Sequence, residues 1–284
     1  SIVIFIKFSQ YLGLVDKPNK RKMHKTNVPL TGGLSILLSL WIFYFFLLQL
    51  NYEINFIFLI LSSLLFLVGL ADDIYDLNPY LRLSISCAII LIFLFFEQDL
   101  LIKNLYFQYL GSVVFSNNFS YFFSVLCFAL YINSMNMIDG QNGLSCGLFI
   151  SVIIFLIFKN QQYFFNNEII LLLLISLFVF LFFNLRGKIF LGDNGIYFIS
   201  SLIACYLIQA HNEFLIYADE IFLILLVPGL DMLRLFVYRI ANKQNPFKAD
   251  NNHLHHILIR RFGEIRSLLT IIILNIHGII INYL

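Results

Sequence analysis

The chain has 284 residues, of which 60% are hydrophobic and only 12% charged, about half the charged share of a soluble domain. That composition excludes a disordered chain, a collagen-like chain and a water-soluble enzyme with one apolar core. The net charge is +2, so the total says little about partners, and no nucleic-acid partner is expected.

Apolar runs of spanning length, about 20 residues each, recur along the chain with polar breaks between them. They fall near 1–14, where the chain opens in mid-hydrophobic sequence as if the first span were cut short, then at 33–50, 55–71, 80–96, 118–136, 144–158, 168–184, 195–210, 214–238 and 265–283. The reading is an all-α, polytopic membrane helical bundle of about ten transmembrane helices, one membrane-embedded domain over 1–284. The semi-polar stretch 99–117 is expected to hold a short surface hairpin. Cys87, Cys127, Cys146 and Cys205 lie in or beside apolar runs without a CxxC pair, and read as small buried hydrophobes.

With ten spans, alternate loops fall on opposite sides. One side, with its span ends, collects 15 of the 18 Lys and Arg residues, among them Lys17, Lys20, Arg21, Arg82, Arg186, Arg234 and Arg260; the other holds Lys103 and Lys159. The positive-inside rule makes the first side cytoplasmic. The unusual polar clusters lie on that same side, which points to one site at the cytoplasmic face.

GLADDIYDLNP (69–79) ends the third run with Asp72, Asp73 and Asp76. Adjacent helical residues diverge by about 100°, so Asp72 and Asp73 can meet one ligand only at a frayed helix end, whereas Asp76 shares a face with either. Clustered carboxylates suit Mg²⁺ and its phosphate ligands or simply a solvated interfacial loop. NSMNMIDGQNGL (133–144) draws Asn133, Asn136 and Asp139 into one stripe at a helix end, and Gly140 and Gly143 allow a tight turn with close backbone approach. That run suits a nucleotide or diphosphate cradle, or plain turn chemistry. In FLGDNGIYF (190–198) Asp193 is either a helix N-cap or a metal ligand beside a helix N-terminus that favours an anion. ADNNHLHHILIRR (249–261) brings His253, His255 and His256 together ahead of Arg260 and Arg261; such rings bind phosphate when protonated, and zinc is disfavoured without Cys or HExxH. Asp231 and Arg234 are spaced to pair, as an ion pair or as a site wall, and His211 and His277 stand alone as structural or interfacial residues. The basic loop 16–33 serves lipid headgroups or topology only.

The five motifs DKPNKRKMH…VP..GG, GLADDIYDL, NSMNMIDGQNGL, FLGDNG and HLHH, in this order from about Leu14 to Arg261, resemble those of the polyprenyl-phosphate N-acetylhexosamine-1-phosphate transferases. HLHH at 253–256 is closer to the branch that starts enterobacterial common antigen and wall teichoic acid than to the peptidoglycan branch. The resemblance implies transfer of N-acetylhexosamine-1-phosphate, by default N-acetylglucosamine-1-phosphate, from a UDP-sugar to undecaprenyl phosphate with release of UMP. It implies Mg²⁺, with Mn²⁺ as the alternative, an inner-membrane location, a cytoplasm-facing site and a homodimer. It carries a catalytic role onto Asp72, Asp73, Asp139, His253, His255 and His256, and substrate binding onto Asn133, Asn136, Arg82, Gly140, Asn142 and Arg260. Metal binding falls to Asp193 and Asp72.

The chain departs from the family pattern at Asn142, where Asp is usual, and at Asn251 and Asn252, where the favoured branch often has a basic residue. The chain ends soon after a span where family members often continue with another. An inactive, scaffolding homologue is one rival reading. A transporter would carry acids at mid-span, whereas here they cluster at one face and most spans lack a central charge, and the DG..AR…G…D…D pattern of a CDP-alcohol phosphotransferase is missing.

Overall fold

A computed structural model describes residues 2–18, 26–50, 56–165, 167–246 and 252–281. Each expected apolar run is helical in it. In chain order they are α1 (Ile2–Phe8), α2 (Gly32–Gln49), α3 (Ile57–Tyr75), α4 (Pro79–Phe96), α5 (Asn117–Ile138), α6 (Leu144–Lys159), the short α7 (Gln161–Phe165), α8 (Glu168–Asn184), α9 (Gly192–Asn212), α10 (Ala218–Ile224), α11 (Leu226–Ala241), α12 (Leu254–Phe262) and α13 (Glu264–Ile281). Two antiparallel pairs, β1 (Val15–Asp16) with β2 (Val28–Pro29) and β3 (Asn104–Phe107) with β4 (Gly111–Val114), complete the elements. The second pair is the hairpin expected in 99–117, and it qualifies the all-α reading.

The expected count of about ten spans is not confirmed. Among the described residues, four helices (α2 to α5) are long and apolar enough to cross a membrane, or five with the pair α10 and α11, bent by 72°. The other apolar runs miss that length and composition for physical reasons. Helices α6 and α8, of 16 and 17 residues, rise about 24–26 Å, short of a hydrocarbon core of about 30 Å. The run 214–238 is broken at Leu225, with Pro228 in the first turn of α11. Helix α9 is diluted by Ser200, Ser201, Gln209 and His211. The result is a helical membrane protein.

The chain divides into two compact units, interleaved in sequence. The first comprises Ser1–Ile89 and Leu156–Ile203, the second Ile90–Phe155 and Ala204–Leu284. In the first unit, glycines set the packing. A Cβ on Gly33 of α2 would run into Gly195 of α9, one on Gly69 of α3 into the Asp193 backbone, and one on Gly32 into the Phe180 ring of α8. Small residues thus let α2 and α3 close onto the start of α9. The contact is reinforced by Phe66 meeting Phe198 edge-on at 6.4 Å and by Trp41 Nε1–H donating to Ser63 Oγ at 2.9 Å. Ser201 satisfies its hydroxyl on the Tyr197 carbonyl at 2.7 Å, as a polar group inside an apolar helix must. The second unit sets α11 beside α5 and α13 beside α10, α11 and α12. His211 is structural, as expected: it is buried, with its ring nitrogens 3.0 and 3.1 Å from the carbonyls of Ile216 and Asn104. His277 is exposed on α13, and none of the four cysteines forms a disulfide, Cys146 and Cys205 being fully buried.

Candidate active site

The acidic cluster of the first unit is assembled by the approach of α3 to α9. Asp72 and Asp73 leave α3 in different directions, as the 100° step requires, and take different partners. Asp72 is buried and accepts from Leu77 N–H at 2.9 Å and from Arg82 of α4. The same Arg82 Nη1 donates to Asp193 Oδ2 at 2.9 Å, so one guanidinium joins two carboxylates 121 positions apart. Arg82 also lies over the buried Tyr197 ring, 5.7 Å from its centroid. Asp73 accepts from Asp193 N–H at 3.0 Å, Asn194 N–H at 2.9 Å and the Asn194 amide.

Two expectations change here. Asp193 does not cap α9; it sits in the first turn, and Asp73 caps that helix from α3. The N–H groups that a free anion would use are therefore already bonded to a carboxylate of the chain. Gly192 makes this turn with φ +77°, and its missing Cβ leaves room for Asp73 Oδ2 at 2.9 Å. Asp76 does not share a face with the other acids: it ends α3 in the left-handed conformation, φ 51°, and is exposed. Sequence reasoning missed Asn194, which is fully buried and bridges Asp73 to the Leu30 carbonyl at 3.1 Å; an amide between Asp193 and Gly195 was the only signal for it.

The second unit brings together the Asn/Asp/Gly run and the histidines. Helix α5 ends at Asp139, whose Oδ1 accepts from Ser145 Oγ at 2.6 Å. The two glycines divide the work foreseen for them. Gly143 supplies the turn, φ +83°, while a Cβ on Gly140 would strike Nε2 of His255. Gln141 fastens the turn to Glu264 O at 2.5 Å, and Ser267 Oγ donates to Gln141 Oε1 at 3.3 Å. Asn136 and Asn142 are half-buried nearby in sequence. Asn133 donates its side-chain amide back to Ala129 O at 2.7 Å within its own helix.

His253, His255 and His256 form one ring cluster, with centroids 5.6 Å apart for 253–255, 4.1 Å for 255–256 and 6.5 Å for 253–256. His255 is 1% exposed and neither ring nitrogen has a hydrogen-bond partner. Burial, with the neighbouring His256 and His253, pushes its imidazole down to about 3, so it is neutral at neutral pH. Asp231 of α11 pairs with Arg234 at 2.8 Å, as its spacing predicts, and also faces His253 Nδ1 at 3.2 Å. It thus forms the expected ion pair and also touches the histidine cluster. Arg260 is exposed in the last turn of α12, one turn beyond His256 and two beyond His253, where a cation favours the helix end. Lys20 and Arg21 of the basic loop, and Asn251 before the histidines, lie outside the described residues.

Among the described residues, no group of three or more His, Cys, Asp or Glu side chains forms a ready metal cage. Mg²⁺ needs none: it is usually held by one or two carboxylates with the remaining positions left to water and substrate phosphates. Asp72 and Asp193, two hard-oxygen donors already sharing one cation, fit that requirement, and Mn²⁺ accepts the same donors.

Residues 55–211 match the family described as Glycosyl transferase family 4. The chain is similar to proteins named undecaprenyl-phosphate alpha-N-acetylglucosaminyl 1-phosphate transferase. The Thermotoga maritima protein is 31% identical over 95% of this chain and 80% of its own length. Those of Escherichia coli O157:H7 and Yersinia pestis are 28% and 29% identical, over 89% and 88% of this chain and 71% and 70% of theirs.

Proposed function

The chain belongs to glycosyl transferase family 4, and on that footing we propose that it transfers N-acetylglucosamine-1-phosphate from UDP-N-acetylglucosamine to undecaprenyl phosphate, releasing UMP. The observation that carries the reading is the Asp72–Arg82–Asp193 linkage, in a chain whose relatives bear that name over most of their length. In the reaction an oxygen of the lipid phosphate attacks the β-phosphorus of the UDP-sugar. The new P–O bond forms as the bond to the α-phosphate oxygen breaks, and UMP leaves with the electron pair. The acceptor phosphate is already largely ionised near neutral pH, so the task is to bring two anions together rather than to remove a proton. Mg²⁺, held by Asp72 and Asp193, would supply Lewis-acid neutralisation of phosphate charge. Arg82 holds those two carboxylates in place. Asp73 fixes the backbone that carries Asp193. The family resemblance assigns His253, His255 and His256 to the neighbourhood of the diphosphate. A cytoplasm-facing site in the inner membrane rests on the Lys and Arg asymmetry, and a homodimer rests on the family resemblance alone.

The test is UMP release by the purified, full-length protein given undecaprenyl phosphate, a panel of UDP-N-acetylhexosamines and Mg²⁺. Release that requires lipid, Mg²⁺ and Asp193, with Asp193→Asn as control, is expected, and the panel identifies the sugar. No release from folded protein in lipid, and none after Asn142→Asp, would overturn the reading in favour of an inactive homologue.

A further inference from the structure

Asp231 lies outside every motif used above, yet it organises the N-terminus of α12. Its carboxylate is buried, 5% exposed, and each oxygen has its own work. Oδ1 accepts from Leu254 N–H at 3.0 Å and from Arg234 Nη2 at 2.8 Å. Oδ2 faces His253 Nδ1 at 3.2 Å. His253, the N-cap residue of α12, offers the helix no side-chain cap; Asp231 supplies it from the neighbouring helix.

An ionised carboxylate can only accept hydrogen bonds, so the nitrogen facing it must carry the proton. We propose that Asp231 is a positioning residue that holds His253 with its proton on Nδ1, leaving Nε2 as a hydrogen-bond acceptor for a hydroxyl or N–H donor of the substrate. The ring cannot easily turn away, because His253 is buried and stacks on His255 with the planes 19° apart. A carboxylate that fixes the tautomer and orientation of a histidine is a familiar device in metal sites and hydrolases. Here the carboxylate has a second duty as helix cap, which ties the ring's orientation to the start of the helix. The inference rests on the reading of the histidines as substrate-facing.

The geometry also dictates what Asp231→Asn would do. Two donors, Leu254 N–H and Arg234 Nη2, converge on Oδ1, so the oxygen of the new amide must take that place. Its NH₂ group then occupies the position of Oδ2 and points a donor at His253 Nδ1. That nitrogen must become the acceptor, and the proton moves to Nε2. The substitution therefore inverts the tautomer while keeping the cap and the side-chain volume.

The experiment uses the full-length protein labelled with ¹⁵N-histidine in lipid, with magnetic-resonance assignment of the His253 ring nitrogens by loss of its signals in His253→Ala. The wild type should show the proton on Nδ1 and Asp231→Asn should show it on Nε2. UMP release should fall about 10- to 100-fold in Asp231→Asn, mainly in kcat. The double variant with His253→Ala should be no slower than His253→Ala alone, because both changes remove one device. A wild-type proton on Nε2 would overturn the proposal without any use of the variant. So would full activity with the tautomer inverted, or a double variant much slower than His253→Ala. If the wild type releases no UMP, the functional reading fails, while the spectrum still decides the tautomer.

Discussion

Below about pH 6.5 the unfolded chain takes up a proton at His255 that the folded chain refuses. The folded imidazole is held down to about 3, chiefly by burial and then by the charges of His256 and His253, with Asp231 acting weakly the other way. A group whose affinity for protons is lower in the folded state loses stability as the pH falls through its unfolded value. Each unit is worth about 1.4 kcal/mol, so acidification from pH 6.5 to 4.5 should remove about 3 kcal/mol through this ring alone. The loss should level off only near pH 3. Because His255 is 1% exposed, solvent screening takes little from that figure, which is a large share of a typical folding stability of about 5–15 kcal/mol. His255→Leu removes the titration while keeping an apolar side chain of similar bulk. Thermal unfolding of both proteins in the same detergent, followed by helical circular dichroism from pH 7 to 4.5, isolates the term from the carboxylates they share. The wild-type melting temperature should fall away from that of the variant as the pH drops. Parallel curves would refute the reasoning.

Two further outcomes follow from the packing. Gly69→Ala sets a methyl group against the Asp193 carbonyl and 2.7 Å from Asn194 Cα; backbone has to move, at a cost of about 1–3 kcal/mol, and UMP release should fall with the melting temperature. Gly147→Ala meets only the tip of Ile272, at 2.8 Å, and should leave both near wild type; equal behaviour of the two variants in melting and activity assays would contradict the account. Arg82→Gln unbridges Asp72 and Asp193 and should lower UMP release about 100-fold or more. Arg82→Lys should recover little of that, since a point charge cannot span both carboxylates as the guanidinium does. Activity of Arg82→Gln within about threefold of wild type would show that the bridge is dispensable.

What could be read along the chain was whatever one helix or one loop decides by itself. The apolar runs, the 104–114 hairpin, the Asp231–Arg234 pair at i, i+3 and the two uses of glycine in 140–143 are all of that kind. Bonds between distant segments could not be read. Nothing local tells that Asp73 caps a helix 120 residues on, or that Asp231 reaches back from α11 to His253. Nor does the periodicity that places Asn133 in a polar stripe tell that its amide bonds one turn back to Ala129 O. The bend between α10 and α11 was hidden because hydropathy averages over a break that keeps its apolar character, even with Pro228 in plain view.

The cap that Asp73 places on α9 has a consequence for selectivity. A helix N-terminus is ordinarily open to whatever anion diffuses past, and here it is filled by a competitor that never leaves. A free phosphate would have to displace a carboxylate delivered by a glycine-packed helix, at an effective concentration far above that of any metabolite. The start of α9 is thus closed to stray anions. The balance of the cluster, three carboxylates against one guanidinium, leaves it calling for positive charge. Under the proposed reaction, an anionic substrate would come there in the company of Mg²⁺.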